Sequence, residues 1–167
     1  QRQMCIRDRG KGTAGVGTGG VGVGLNAGNS SQGSHTVAVG EQAGETSQGV
    51  YAVAVGMQAG ETSQSATGVA IGYSAGKTNQ GADAVAIGQN AGLTGQGDYG
   101  IGIGEFAGST NQGTNAIAIG EAAGKTDQAA NSIVINASGS ELNNTTASSL
   151  VVKPIRNASG TQQLEYN

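Results

Sequence analysis

Two segments of this chain imitate a phosphate-binding loop. They are Gly72-Tyr-Ser-Ala-Gly76-Lys77-Thr78 and Gly120-Glu-Ala-Ala-Gly124-Lys125-Thr126. Such loops need glycines that free backbone amides, and a lysine that meets the phosphate. Both segments are one residue short, and the lysine is replaced by Asn29, Glu45, Glu61, Leu93 and Ser109 in equivalent segments. Gly15-x-Gly17-x-x-Gly20 carries the dinucleotide spacing, as do Gly22 and Gly102 with alanine in last place, but no strand–helix–strand unit surrounds them. His35, the one histidine, falls in a variable column and reads as a surface residue. Asp83, Asp98 and Asp127 lack the spacing of calcium-binding β-rolls. Asn29, Asn136, Asn143, Asn144 and Asn157 head glycosylation sequons, which matter only in a glycosylating host. No nucleophile–base pair stands out, so the expectation is no enzyme activity, no catalytic residue, no metal and no cofactor.

The remaining chemistry is recognition. Tyr51 and Tyr99 occupy one column of the chain, and Tyr73 and Phe106 lie on a neighbouring turn. Aromatic faces beside Asn, Gln and Asp can stack on sugar rings and bond their hydroxyls, which makes these four the candidate glycan or surface contacts. Gln32, Gln48, Gln64, Gln80, Gln96, Gln112 and Gln128 form a second column, suited to an amide ladder.

What positions these residues is a repeat. Val21 to Ser132 is seven copies of a 16-residue unit with no insertion or deletion. Val37-Ala38-Val39, Val69-Ala70-Ile71 and Ile117-Ala118-Ile119 alternate branched residues with alanine, which is strand periodicity. Two or more glycines in every unit oppose helix. A short strict period therefore predicts an all-β parallel β-solenoid of seven coils, each of two short strands and two turns. At about 4.8 Å per coil the rod is roughly 34 Å long.

The columns suggest an assignment of faces. The two branched columns hold only Val or Ile and are expected to fill the core. The column between them, Gly22, Ala38, Ala54, Ala70, Ala86, Gly102 and Ala118, is small throughout, so another backbone is expected to approach it. That column is the expected oligomer face. The invariant alanines from Ala27 to Ala123 should close the core from the other side. Thr46 and Gln48 stand two apart and are expected to share a face. Each coil brings only two branched residues and there is no disulfide, so association into a homotrimer is the expected remedy.

The chain of 167 residues has net charge −3, which gives no case for nucleic acid or an anionic membrane. No apolar run reaches membrane-spanning length. Residues 1–9 contain three of the four arginines and the one cysteine, and read as a non-native leader. Residues 10–20 read as a glycine-rich lead-in or degraded coil, 21–136 as the array, and 137–167 as a transition segment. In that segment Leu150 to Ile155 suggests a strand, held terminal by Pro154, and Asn157 to Gly160 a turn.

Val37-Ala38-Val39-Gly40, Val69-Ala70-Ile71-Gly72, Val85-Ala86-Ile87-Gly88 and Ile117-Ala118-Ile119-Gly120 resemble the repeats of trimeric autotransporter adhesin heads. Similar Ala-Ile-Gly-x-x-Ala-Gly arrays occur in tail-fibre-like proteins of phages and large algal viruses. The resemblance implies a left-handed parallel β-roll, a trimer, and a place outside the cell on a virion or cell surface. The function expected is a fibre shaft or adhesin-head segment that supports attachment to a host-surface glycan or receptor. The alternatives are an ice-binding solenoid using the Thr46 to Thr126 column, and a bare structural filament subunit.

Overall fold

In the computed structural model, Ile6–Asp8 and residues 18–154 are described. They contain fourteen strands. One series carries the branched residues: β2 (Val21–Val23), β3 (Val37–Val39), β5 (Val53–Val55), β7 (Val69–Ile71), β9 (Val85–Ile87), β11 (Ile101–Ile103), β12 (Ile117–Ile119) and β13 (Ile133–Asn136). A second series is β4 (Thr46–Gln48), β6 (Thr62–Gln64), β8 (Thr78–Gln80) and β10 (Thr94–Gln96). The ends are β1 (Ile6–Asp8) and β14 (Leu150–Lys153).

The first series stacks in parallel register, sixteen residues per step, as in Val37↔Val53 and Ala38↔Ala54. With β1 antiparallel at one end and β14 parallel at the other, it makes a ten-stranded sheet. The second series makes a four-stranded sheet on the opposite wall, extended by bridges at Ser30, Thr110 and Thr126. The chain is thus a parallel β-solenoid.

The interior is narrower than the alternation suggested. Ala38, Ala54, Ala70, Ala86 and Ala118 are 0–1% exposed, and they meet the second alanine column, Ala43 to Ala123, inside the coil. The oligomer-face assignment for these alanines is therefore corrected: their neighbours are the chain's own opposite wall. The branched columns are corrected with them. They point outward, half-buried or exposed, on either side of a central residue that is a buried alanine on β3, β5, β7, β9 and β12. The physical reason is the width of the coil. A Cβ added at Gly92 would lie 3.1 Å from the Ala86 Cβ, so at this level the slot has no room beyond the alanine methyl.

Backbone geometry enforces this closeness. Gly88 has φ +123°, and a Cβ there would come within 2.7 Å of the Gly104 carbonyl oxygen in the next coil. Only glycine satisfies both constraints. Thr46 and Gln48 do not share a face either. Ser47 between them has φ +59°, which turns the chain so that Thr46 is exposed and Gln48 buried.

The winding also continues past Asn136. Ile133–Asn136 pairs in parallel with Leu150–Lys153, so residues 137–149 complete a further coil rather than leaving the solenoid. That coil differs inside: Val134 takes the alanine position, and Leu142 packs against the same cluster. Asn136 stands where earlier coils have glycine and donates through Nδ2 to Glu121 O and Ser140 O, both at 2.7 Å. Ile155 and the turn at 157–160 lie outside the described residues, as do most of residues 1–17.

Candidate functional site

The buried glutamines are the most ordered polar feature. Gln64 Nε2 donates to Val53 O (2.9 Å), Gly68 O (3.0 Å) and Gln80 Oε1 (3.0 Å). The same set recurs at Gln48, Gln80, Gln96 and Gln112, so six side chains from Gln48 to Gln128 are linked. Burial without partners would be costly, and the row supplies the partners. Gln32 departs from it, donating to Ser30 O and Gly44 O instead. The buried Oε1 atoms of Gln32 and Gln48 are left without a donor. This row is structural: it faces the inside of the coil and presents nothing to a ligand.

The exposed surface offers three files. The first is the outer face of the ten-stranded sheet, where Ile71, Ile87, Ile103, Ile119 and Ile135 are each 36–40% exposed. The second is the threonine file, in register from Thr46 through Thr126. It is one residue wide and bordered by Glu45, Glu61 and Lys77. The third is a corner at one edge of the large sheet: His35, Tyr51, Thr67, Asp83, Tyr99, Asn115 and Asn131. All seven are exposed and left-handed, with φ between 55° and 61°. The His35 and Tyr51 rings stack there at 5.4 Å, with planes 7° apart.

The four aromatic candidates do not converge. Tyr51 and Tyr99 share that corner, while Tyr73 and Phe106 lie beyond the other edge of the sheet. Phe106 is half-buried, and Lys125 Nζ lies 5.2 Å from its ring centre.

In the phosphate-loop imitations alternate backbone amides are already committed to neighbouring coils. The amides of Gly72, Ser74, Gly76 and Thr78 donate to Val55 O, Met57 O, Ala91 O and Leu93 O in neighbouring coils. Lys77 pairs with Glu61 and Lys125 with Glu141, each at 3.3 Å. Asn143, followed by Lys125, holds the exposed Glu141 carboxyl below its usual range. Among the described residues no group of three or more His, Cys, Asp or Glu is placed to hold a metal ion. Of the sequons, Asn29 and Asn143 are exposed, Asn136 and Asn144 are buried, and Asn157 lies outside the described residues. No helix of the described residues is long and apolar enough to cross a membrane.

Sequence reasoning missed the outer apolar face and the left-handed corner. The corner had a signal: Asn and Asp recur in its column, and both tolerate positive φ. The outer face had none, because alternation marks two faces without saying which is inside.

No protein-family model, curated protein or solved structure matches the chain.

Proposed function

We propose that this solenoid is a shaft or head segment of an extracellular fibre, on a virion or cell surface, that associates as a homotrimer and supports attachment. The observation that carries this is the outer face of the ten-stranded sheet. A continuous file of Ile and Val, 36–40% exposed from Ile71 to Ile135, runs along a rigid rod. Single exposed apolar residues are ordinary, but an unbroken file of them marks an interaction surface. A regular rod carries the same face at every coil, so copies of the chain can align along their whole length. The resemblance of Val69-Ala70-Ile71-Gly72 and its sister segments to trimeric adhesin heads supports the same reading.

Sedimentation equilibrium of the full chain tests it. The expected result is a trimer, with Ile71→Ser, Ile87→Ser, Ile103→Ser together giving a monomer of unchanged circular dichroism. A wild-type chain that stays monomeric at about 100 μM, a concentration at which even weak specific association registers, overturns the reading.

The in-register threonine file favours a second reading, a water-ordering surface that binds ice. Thermal hysteresis of the wild-type chain, lost in Thr78→Tyr, is its test.

A further inference from the structure

We propose that the corner between Tyr51 and Tyr99 binds a neutral glycan. This rests on the attachment reading above and names the ligand class that the rod itself would contact.

The corner is built for a fixed display. Tyr51 N donates to Ser34 O at 3.0 Å and Tyr99 N to Ala82 O at 2.9 Å, so both residues sit in laddered backbone. Parallel register places successive members one strand spacing apart, which puts Tyr51 and Tyr99 about 14 Å from each other along the rod. They are 60% and 57% exposed. The ring of Tyr51 has one face against His35, nearly parallel to it. Its other face therefore looks along the file, toward Thr67 and the span that ends at Tyr99.

Two short polar residues floor that span. The Thr67 hydroxyl donates to Asp83 Oδ1, and Asp83 Oδ2 has no partner among the described residues. Asp98, beside Tyr99, accepts the Ala82 amide through its Oδ1. The free face of the Tyr51 ring at one end and an exposed Tyr99 at the other, with a hydroxyl and carboxylates between, match the two-sided chemistry of a pyranose. The C–H face of the sugar stacks on a ring while its hydroxyls donate to carboxylate.

The charge of the corner narrows the ligand further. Neither this file nor the one before it contains Lys or Arg, and both carboxylates, Asp83 and Asp98, lie within the span. Sialylated and uronic-acid glycans are repelled there, and neutral hexose or N-acetylhexosamine chains are not.

The test is titration of the full-length chain with cellotetraose, maltotetraose and chitotetraose, followed by saturation-transfer NMR, with 3′-sialyllactose as the charged comparison. The variants are Tyr51→Asn, Tyr99→Asn and Asp83→Asn. Asparagine already holds this left-handed corner at Asn115 and Asn131, so the coil is expected to fold unchanged. Binding of at least one neutral oligosaccharide is expected, weakened about tenfold by either tyrosine change and untouched by Tyr73→Ala. Sedimentation of the same samples reports assembly separately, so a trimer that binds no sugar overturns this proposal and leaves the shaft reading standing. Equal affinity in wild type and the Tyr51→Asn, Tyr99→Asn double variant, preference for sialyllactose, or no neutral binding up to about 10 mM also overturns it.

Discussion

On β7, β9 and β12 of the large sheet alanine and isoleucine stand next to each other, yet they live in different environments. Ala70 is fully buried, while Ile71 is 38% exposed. In most half-buried strands the larger residue goes inside, because burial of apolar area is what stabilises the sheet. Here the smaller one does. The coil is closed by turns so tight that the two walls meet at van der Waals distance, and from Ala38 to Ala123 the interior is dominated by alanine methyls and flat amides. Apolar area removed from water inside one chain is correspondingly small. Backbone ladders and the glutamine row hold the coil together, and the branched apolar residues lie on its outside.

The sharpest way to break this contrast is to enlarge the inner column. Ala70→Leu is expected to cost about 3 kcal/mol or more, because the added carbons have no space and the laddered walls cannot separate locally. Loss of the parallel-sheet circular dichroism at ambient temperature is the expected signature. A stable, folded Ala70→Leu rod would place the column outside after all.

Removing one amide from the row comes next. Gln80→Leu strips Gln96 Oε1 of its donor and Gln64 Nε2 of one acceptor. The expected loss is about 2–3 kcal/mol in thermal or denaturant unfolding, against almost none for Gln89→Leu on the exposed surface. Equal melting of the two variants would mean that the row is not a structural support.

The outer column sharpens the contrast from the other side. On the dissociated chain, Ile87→Thr is expected to change stability by no more than about 1 kcal/mol, since β-branching is kept and little buried area is lost. In the proposed trimer the same change is expected to weaken association, visible as a shift of assembly to higher concentrations. A large loss of monomer stability would show that the outward isoleucines support the coil itself.

The smallest effect belongs to the last coil. Asn143 and Lys125 hold the Glu141 carboxyl below its usual range, so its contribution is present above that range and fades as pH falls through it. Glu141→Gln is therefore expected to melt slightly lower than wild type at neutral pH and together with it in acid. A gap that persists in acid would assign the difference to packing.

The period, the strands and the parallel stacking were legible in the sequence because Gly, Ala and Gln recur every sixteen residues. Which face is inside was not. Val37-Ala38-Val39 shows two faces, and residue bulk suggested the wrong one, since the width of the slot depends on backbone turns at glycines such as Gly88. Thr46 and Gln48 misled for a related reason. Period-two reasoning assumes extended backbone, but Ser47, Ser63, Asn79, Gly95, Asn111 and Asp127 all turn left-handed between them. That column's preference for Ser, Asn, Asp and Gly was readable, and it outweighs the strand pattern. The final coil is hidden in the sequence because the Gly, Ala and Gln columns lapse after Gln128, although Asn144 holds the glutamine's place and bonds Ser149 much as a cap would.

The glutamine row also has a direction. Backbone bonds between coils run both ways: Val37 N donates forward to Ala52 O, and Gly40 N donates back to Val23 O. Their dipoles largely cancel. The side-chain amides all donate forward, from Gln48 through to Gln128. If each contributes a dipole near that of a peptide unit, about 3.5 D, the components along the rod add as they do in a helix. The amino-terminal end of the row, where Gln48 Oε1 stands without a donor, is the negative pole. The rod is therefore an electrically vectorial object, and two rods lying side by side are distinguishable as parallel or antiparallel by field alone.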